Sequence, residues 1–204
     1  LLGRLLEAID DKIEISLASV SGGEKMNAIA KMADAVIAID IKDEENMKEI
    51  VAKLEESFLN EYAVADPGIK IVLNNVELPE RVFKSRTKQS LISILRLIPN
   101  GVQTMSASIP GLVESSNNIG VLIIEDNKVV FSSAVRSSVK TLKEEINKRI
   151  KLICELTGAA MELVADYPEW QYKIESPIRD LMSEVYRDMF NKELKIEAIH
   201  AGLE

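Results

Sequence analysis

An α+β fold is what this sequence predicts, and three observations carry it. Helical and alternating apolar patterns succeed one another along the chain. The order helix-strand-strand-helix-strand occurs twice. Two of the strands are joined by Glu125-Asp126-Asn127, whose Asp-Asn pair suits a tight hairpin turn and so makes them antiparallel neighbours. The expected architecture is therefore two similar α-β-β-α-β units, each an antiparallel sheet with helices on one face, followed by an extra helix-strand pair.

The first helix is "LLGRLLEAIDDK", where Leu1, Leu2, Leu5, Leu6 and Ile9 make one apolar face. "KIEISLASVSGG" alternates Ile13, Ile15 and Leu17 against Glu14, Ser16 and Ala18, the period of a half-buried strand, and "ADAVIAIDI" is a second strand. "DEENMKEIVAKLEESFLNEY" sets Met47, Ile50, Val51, Leu54 and Phe58 on one helical face, with Asp43 as N-cap and acidic residues in the first turn, where they suit the helix dipole. "GIKIVLNNVEL" is read as a strand, and "TKQSLISILRLIPNG" as a helix stopped by Pro99. In the second unit, "NIGVLII" and "KVVFSSAVR" are the hairpin strands. "SVKTLKEEINKRIKLICELTG" is a helix with Ser138 as N-cap and Gly158 as its stop, followed by "AAMELVADY" as a strand. Beyond these, "SPIRDLMSEVYRDMF" opens with the favoured Ser176-Pro177 start of a helix, and "LKIEAIH" is a final strand. The chain opens inside a helical pattern without a Met and closes where a strand meets a glycine turn, which predicts that both ends are cuts within a longer protein.

Bulk composition narrows the function classes. With 204 residues, 47% hydrophobic and 28% charged, the chain is long and apolar enough to bury a core. A formal charge of −8 repels phosphate backbones and anionic lipid, which argues against nucleic-acid and membrane-surface binding. No apolar run approaches the roughly 18 residues of a membrane span. The single cysteine, Cys154, allows no internal disulfide, fits a reducing cytoplasm and reads as a small buried apolar residue.

The chemistry the chain can carry is limited. One histidine and one cysteine do not make a zinc site, a Ser-His-Asp triad could use only His200, and "SGGEKMN" lacks phosphate-loop spacing. Four polar residues nevertheless stand at unusual places. Asn27 follows the Gly22-Gly23 pair, Asn118 starts a strand, Arg136 ends the opposite strand, and His200 shares strand parity with apolar Ile196 and Ala198, which points it inward. Singly, each reads as a turn asparagine, a surface arginine or a hydrogen-bonded core histidine.

Together, "SGG-x-x-x-NAI", "PNGV-x-x-x-S", "IPGLVE-x-S-x-N-x-G", "YPEW", "SP" and "HAGLE" run in this order along nearly the whole chain. This resembles the aminoacyl-histidine dipeptidases (Xaa-His, carnosine-type), which belong to the dinuclear-zinc exopeptidases. Such enzymes carry a lid domain inserted into a metal-bearing catalytic domain, and in this subgroup the lid has two similar α+β halves. The resemblance implies that residues 1–166 are a lid and dimerisation domain, in two subdomains of about 1–99 and 100–166. Residues 167–204 would be the returning segment of the catalytic domain. That segment would either fold back onto the lid or pair with a second copy. The family's metal ligands and general-base Glu lie outside the matching region, so no catalytic and no metal-binding residue is assigned in this chain. It is expected to bind no cofactor and to be inactive alone, while two zinc or similar divalent ions are implied for the full, cytoplasmic enzyme.

The lid's implied part is substrate grip in a two-metal hydrolysis. Asn27 would point at the Xaa-His dipeptide, Arg136 would pair with its C-terminal carboxylate, Asn118 is a further binding candidate, and His200 and Glu204 would line the pocket opposite. A homodimer through the lid is expected. The family pattern usually continues with Pro-Arg-Glu after "NAI", where this chain has Ala30-Lys31-Met32, and Lys31 offers no bidentate fork. The competing reading is a stand-alone α+β module that binds a small molecule or dimerises.

Overall fold

A computed structural model describes residues 1–202. In chain order the elements are α1 (Leu2–Asp10), β1 (Ser16–Gly22), β2 (Ala33–Ala38), α2 (Glu44–Glu61), α3 (Ser85–Leu97), β3 (Gly101–Met105), β4 (Val113–Glu125), β5 (Lys128–Ser137), α4 (Lys140–Thr157) and α5 (Pro177–Phe190), with a short 3-10 turn at Ile41–Asp43. The class is α+β, with helices against an antiparallel sheet, as the patterning predicts.

The strands of both predicted units join in one five-stranded sheet of order β2-β1-β4-β3, with β5 also paired to β4. The long strand β4 is the organiser. Asn117 pairs with Val135 on one edge and Gly101 on the other, while Leu122 pairs with Phe131 and with Gly22 of β1. The β4–β5 hairpin closes at Glu125↔Lys128 through Asp126 and Asn127, both at positive φ (49° and 59°), the geometry the Asp-Asn pair foretells.

Helices α1 to α4 bury their apolar faces against one side of this sheet. One cluster joins Leu6 and Ile9 of α1, Val51 of α2 and Leu91 and Ile92 of α3 to Leu17, Val20 and Leu122 of the strands. A second joins Ile94 and Ile98 to Ile146, Ile150, Ile153 and Cys154, and Phe131 packs against both clusters. Each fully buried aliphatic or aromatic side chain of this kind contributes roughly 1.5–3 kcal/mol. Cys154 is the small buried apolar residue expected, and burial pushes its thiol pKa up.

Several elements differ from the reading of the sequence. Residues 68–78, 159–167 and 194–200 form no ladder among the described residues, although each alternates or runs apolar. Conversely, β3 was not anticipated. Asp43 stands at the N-cap of α2 without a side-chain bond, and Asp40 caps the preceding 3-10 turn through the Lys42 amide instead. The N-cap of α4 is Val139 rather than Ser138, its amide bonded by Ser137 Oγ at 3.0 Å. Gly158 at φ +74° ends α4, and Ser176 Oγ caps α5 through the Arg179 amide, both as the motifs suggest. Helix α5 buries no residue: Ile178, Leu181, Met182, Val185 and Met189 are all exposed, so it does not fold back onto the sheet domain.

Candidate functional site

Alternation along β4 separates two sets of side chains. Ser115, Asn117 and Ile119 face the helices, and Ser116, Asn118 and Gly120 face the opposite, helix-free side. The ladder sets Arg136 of β5 directly across from Ser116 and Ala134 across from Asn118, so Arg136 stands on the same helix-free face. Among the described residues no carboxylate pairs with the Arg136 guanidinium, although it is half-buried.

The C-terminal segment brings His200 to this face. Its Nε2 lies 2.7 Å from Ser116 Oγ. Burial lowers the imidazole pKa from its ordinary value, the nearby Arg136 cation lowers it further, and the Val113 backbone acts in the opposite sense. The inward-facing strand read from Ile196 and Ala198 does not form. Both are exposed, and His200 is half-buried because it docks on β4, not because of strand parity. The Tyr167 hydroxyl faces Gly202, which sets the start of "YPEW" against the "HAG" of residues 200–202. Lys143 of α4 fixes that first motif, with Nζ 3.0 Å from the Tyr167 carbonyl and paired with Asp166 (2.5 Å) and Glu169. Glu204 lies outside the described residues.

The loop that carries Asn27 runs from Gly23 to Met32 and lies across β4. Asn118 Nδ2 donates to the carbonyls of Met26 (3.0 Å) and Ala28 (2.6 Å). Asn27 itself is exposed, and its side chain makes no hydrogen bond among the described residues. Asn27, Asn118, Arg136 and His200 thus belong to one face, in two neighbouring groups: Asn27 with Asn118, and Arg136 with His200.

Ser116 joins these groups, and the sequence reading missed it. Counting back from the Glu125↔Lys128 pair would set Asn117 opposite Arg136. A bulge between Ile119 and Val121 shifts the register by one and sets Ser116 there instead. Asn117 is wholly buried on the helix side, with Nδ2 donating to the Pro99 carbonyl at 2.6 Å and Oδ1 without a partner among the described residues. Asn100 accepts from the Ile119 amide at 2.9 Å, which ties "PNGV" to the "S-x-N-x-G" end of the following motif.

What the face can do chemically is hold an anionic or carbonyl-bearing ligand between a guanidinium, a hydroxyl, an imidazole and an amide. No three His, Cys, Asp or Glu side chains converge into a metal-binding group among the described residues. The residues present do not fit the metal ions implied for the full enzyme, and no step through a metal is assigned to them. A cleft of about 700 Å³ lies between α4 and the segment around Met161 and Asp166, away from this face. Among the described residues no helix is long and apolar enough to cross a membrane.

Comparison with known proteins agrees with the motifs. Residues 1–66 match the peptidase dimerisation domain. Over all 204 residues the chain is 32% identical to the cytosol non-specific dipeptidase of Escherichia coli strain K12, of which it covers 42%. The crystal structure of aminoacylhistidine dipeptidase from Vibrio alginolyticus aligns with 99% of this chain and 41% of its own, at 28% identity and a TM-score of 0.91. The chain therefore spans less than half the length of these relatives, and the resemblance read from the motifs is borne out.

Proposed function

Starting from a chain that is homologous along its whole length to part of the aminoacyl-histidine and non-specific dipeptidases, we propose that it is the substrate-gripping and dimerising portion of a metal-dependent, cytoplasmic dipeptidase. Residues 1–166 serve as the lid, in halves of about 1–99 and 100–166, and residues 167–204 return toward the catalytic domain. The substrate is a dipeptide of the Xaa-His class, and the chain alone hydrolyses nothing. Two zinc or similar ions and the general base are supplied by other parts of the full protein. The partner is a second copy, joined through the lid.

The observation that carries this reading is Arg136. It is a half-buried guanidinium without a carboxylate partner among the described residues, across the ladder from Ser116, beside His200 and on the face that also carries Asn27 and Asn118. A cation in such a setting suits the C-terminal carboxylate of a short peptide, and a charge-assisted pair of that kind is worth about 1.5–3 kcal/mol. His200, and Glu204 beyond it, contribute from the facing segment.

In the intact enzyme, Arg136→Ala is expected to lower kcat/KM for an Xaa-His dipeptide by about ten-fold or more, with metal content unchanged. Arg136→Lys recovers part of the loss, since the charge stays but the fork does not. An unchanged kcat/KM in Arg136→Ala removes this residue from the site.

A further inference from the structure

Asn118 has already spent the donors with which it would bind a carboxylate or a carbonyl of a substrate. Its single NH₂ carries two hydrogens, and both are directed at protein carbonyls, those of Met26 and Ala28. These are the two residues that flank Asn27. The loop is also pressed onto β4 at the next helix-free position. A Cβ on Gly120 would lie 2.3 Å from the Lys25 carbonyl oxygen and 2.4 Å from that of Met26, so only glycine lets the loop backbone sit there. At the loop's entrance Gly23 has φ +69°, and a Cβ there would lie 2.0 Å from the Gly120 carbonyl oxygen. Inside the loop the Ala28 amide bonds to the Lys25 carbonyl at 3.1 Å, and the Gly23 amide bonds to the Met32 carbonyl at 3.1 Å. Every one of these contacts fixes the backbone on either side of Asn27 and leaves its side chain open.

We propose that Asn118 is a positioning residue: with Gly23 and Gly120 it clamps the 24–31 loop onto β4, and it acts on the substrate only through the placement of Asn27. This rests on the dipeptidase reading for the identity of the ligand, but the clamp itself does not. It gives the spacing of "SGG-x-x-x-N" and "N-x-G" a single physical purpose. One glycine admits the loop, the other admits its carbonyls, and the asparagine between them in the fold locks the turn.

Two measurements test it. In this chain, Asn118→Asp keeps the size of the side chain but sets a carboxylate against two carbonyls. Hydrogen exchange at the Ala28 amide is expected to quicken by about ten-fold or more, while the β4–β5 ladder stays protected. Gly120→Ala, with Asn118 intact, is expected to release the same amide by steric means, and decides the matter should the aspartate variant not fold. In the intact enzyme, Asn118→Asp and Asn27→Ala are expected to change the same kinetic parameter, KM or kcat, and the double variant is expected to lose no more than the worse single one. Unchanged Ala28 exchange in either folded variant overturns the clamp. Losses that multiply in the double variant overturn the indirect role and make Asn118 a substrate contact. If the intact protein cleaves no dipeptide, the dipeptidase reading has failed, and the Ala28 exchange still decides the clamp.

Discussion

Arg136 bears on the chemistry of His200, and the chain's single histidine makes this measurable. Burial disfavours the imidazolium first and the guanidinium adds repulsion, so His200 titrates below the ordinary value of 6.5. Because the folded pKa is the lower one, the unfolded chain binds the proton first as pH falls. The contribution of neutral His200 to docking on Ser116 is whole above 6.5 and is lost as pH drops through the lowered folded value. In an NMR titration, Arg136→Met is expected to raise the His200 midpoint without restoring it to 6.5, since burial is the larger cause. No movement would mean that the cation does not reach the ring. Four of the five residues read from the sequence as substrate-facing lie on one face. Singly each reads as a turn asparagine, a surface arginine or a core histidine, and only the ordered run of motifs marks them as a set. Ser116 stayed hidden because a one-residue bulge, invisible in the alternation of β4, decides which residue meets Arg136.

At the scale of elements, the junction of α1, α3 and β1 is held by a buried ion pair. Lys88 Nζ bonds the Asp10 carboxylate and the Ile15 carbonyl (2.9 Å), and Gln89 Nε2 donates to the other Asp10 oxygen at 2.7 Å. Asp10→Ala leaves a buried ammonium with one partner and is expected to cost about 3 kcal/mol, whereas the double change Asp10→Leu with Lys88→Met costs much less. Urea denaturation of the two variants checks this. A loss under about 1 kcal/mol for Asp10→Ala would show that Lys88 reaches water instead. This pair was not foreseen, since a lysine in a helix pattern reads as surface. The five helices were foreseen, because a 3.6-residue apolar period over ten or more positions has few other readings. Strands were read less well for a definite reason. "GIKIVLNNVEL" has the right residues, yet Val72, Val76 and Leu78 stay exposed and no neighbouring backbone completes a ladder. "GVQTM" shows no alternation and becomes β3 only because Val113–Asn117 offers it hydrogen bonds. A helix satisfies its own backbone, whereas a strand depends on a partner that the local sequence does not contain.

The whole molecule presents two surfaces suited to association, and they lie far apart in sequence. Within the stretch that matches the peptidase dimerisation domain, β2 is an edge strand whose outer side has no neighbour in the sheet. Beyond it, α5 exposes Ile178, Leu181, Met182, Val185 and Met189 along one side. The first kind of surface suits a contact of fixed register between two copies, since strand pairing and the packing beneath it would specify one geometry. The second is an apolar stripe with no register of its own, and in the proposed full enzyme it is covered by the catalytic domain. These differ in what they predict for solution behaviour. In sedimentation velocity, residues 1–166 alone are expected to reach a dimer and stop. The whole chain is expected to associate further as concentration rises, because the α5 stripe adds a second contact. A monomeric 1–166 would move the dimer contact out of the lid and into α5. Identical profiles for the two would clear α5 of any part in association and leave the lid as the sole site of pairing.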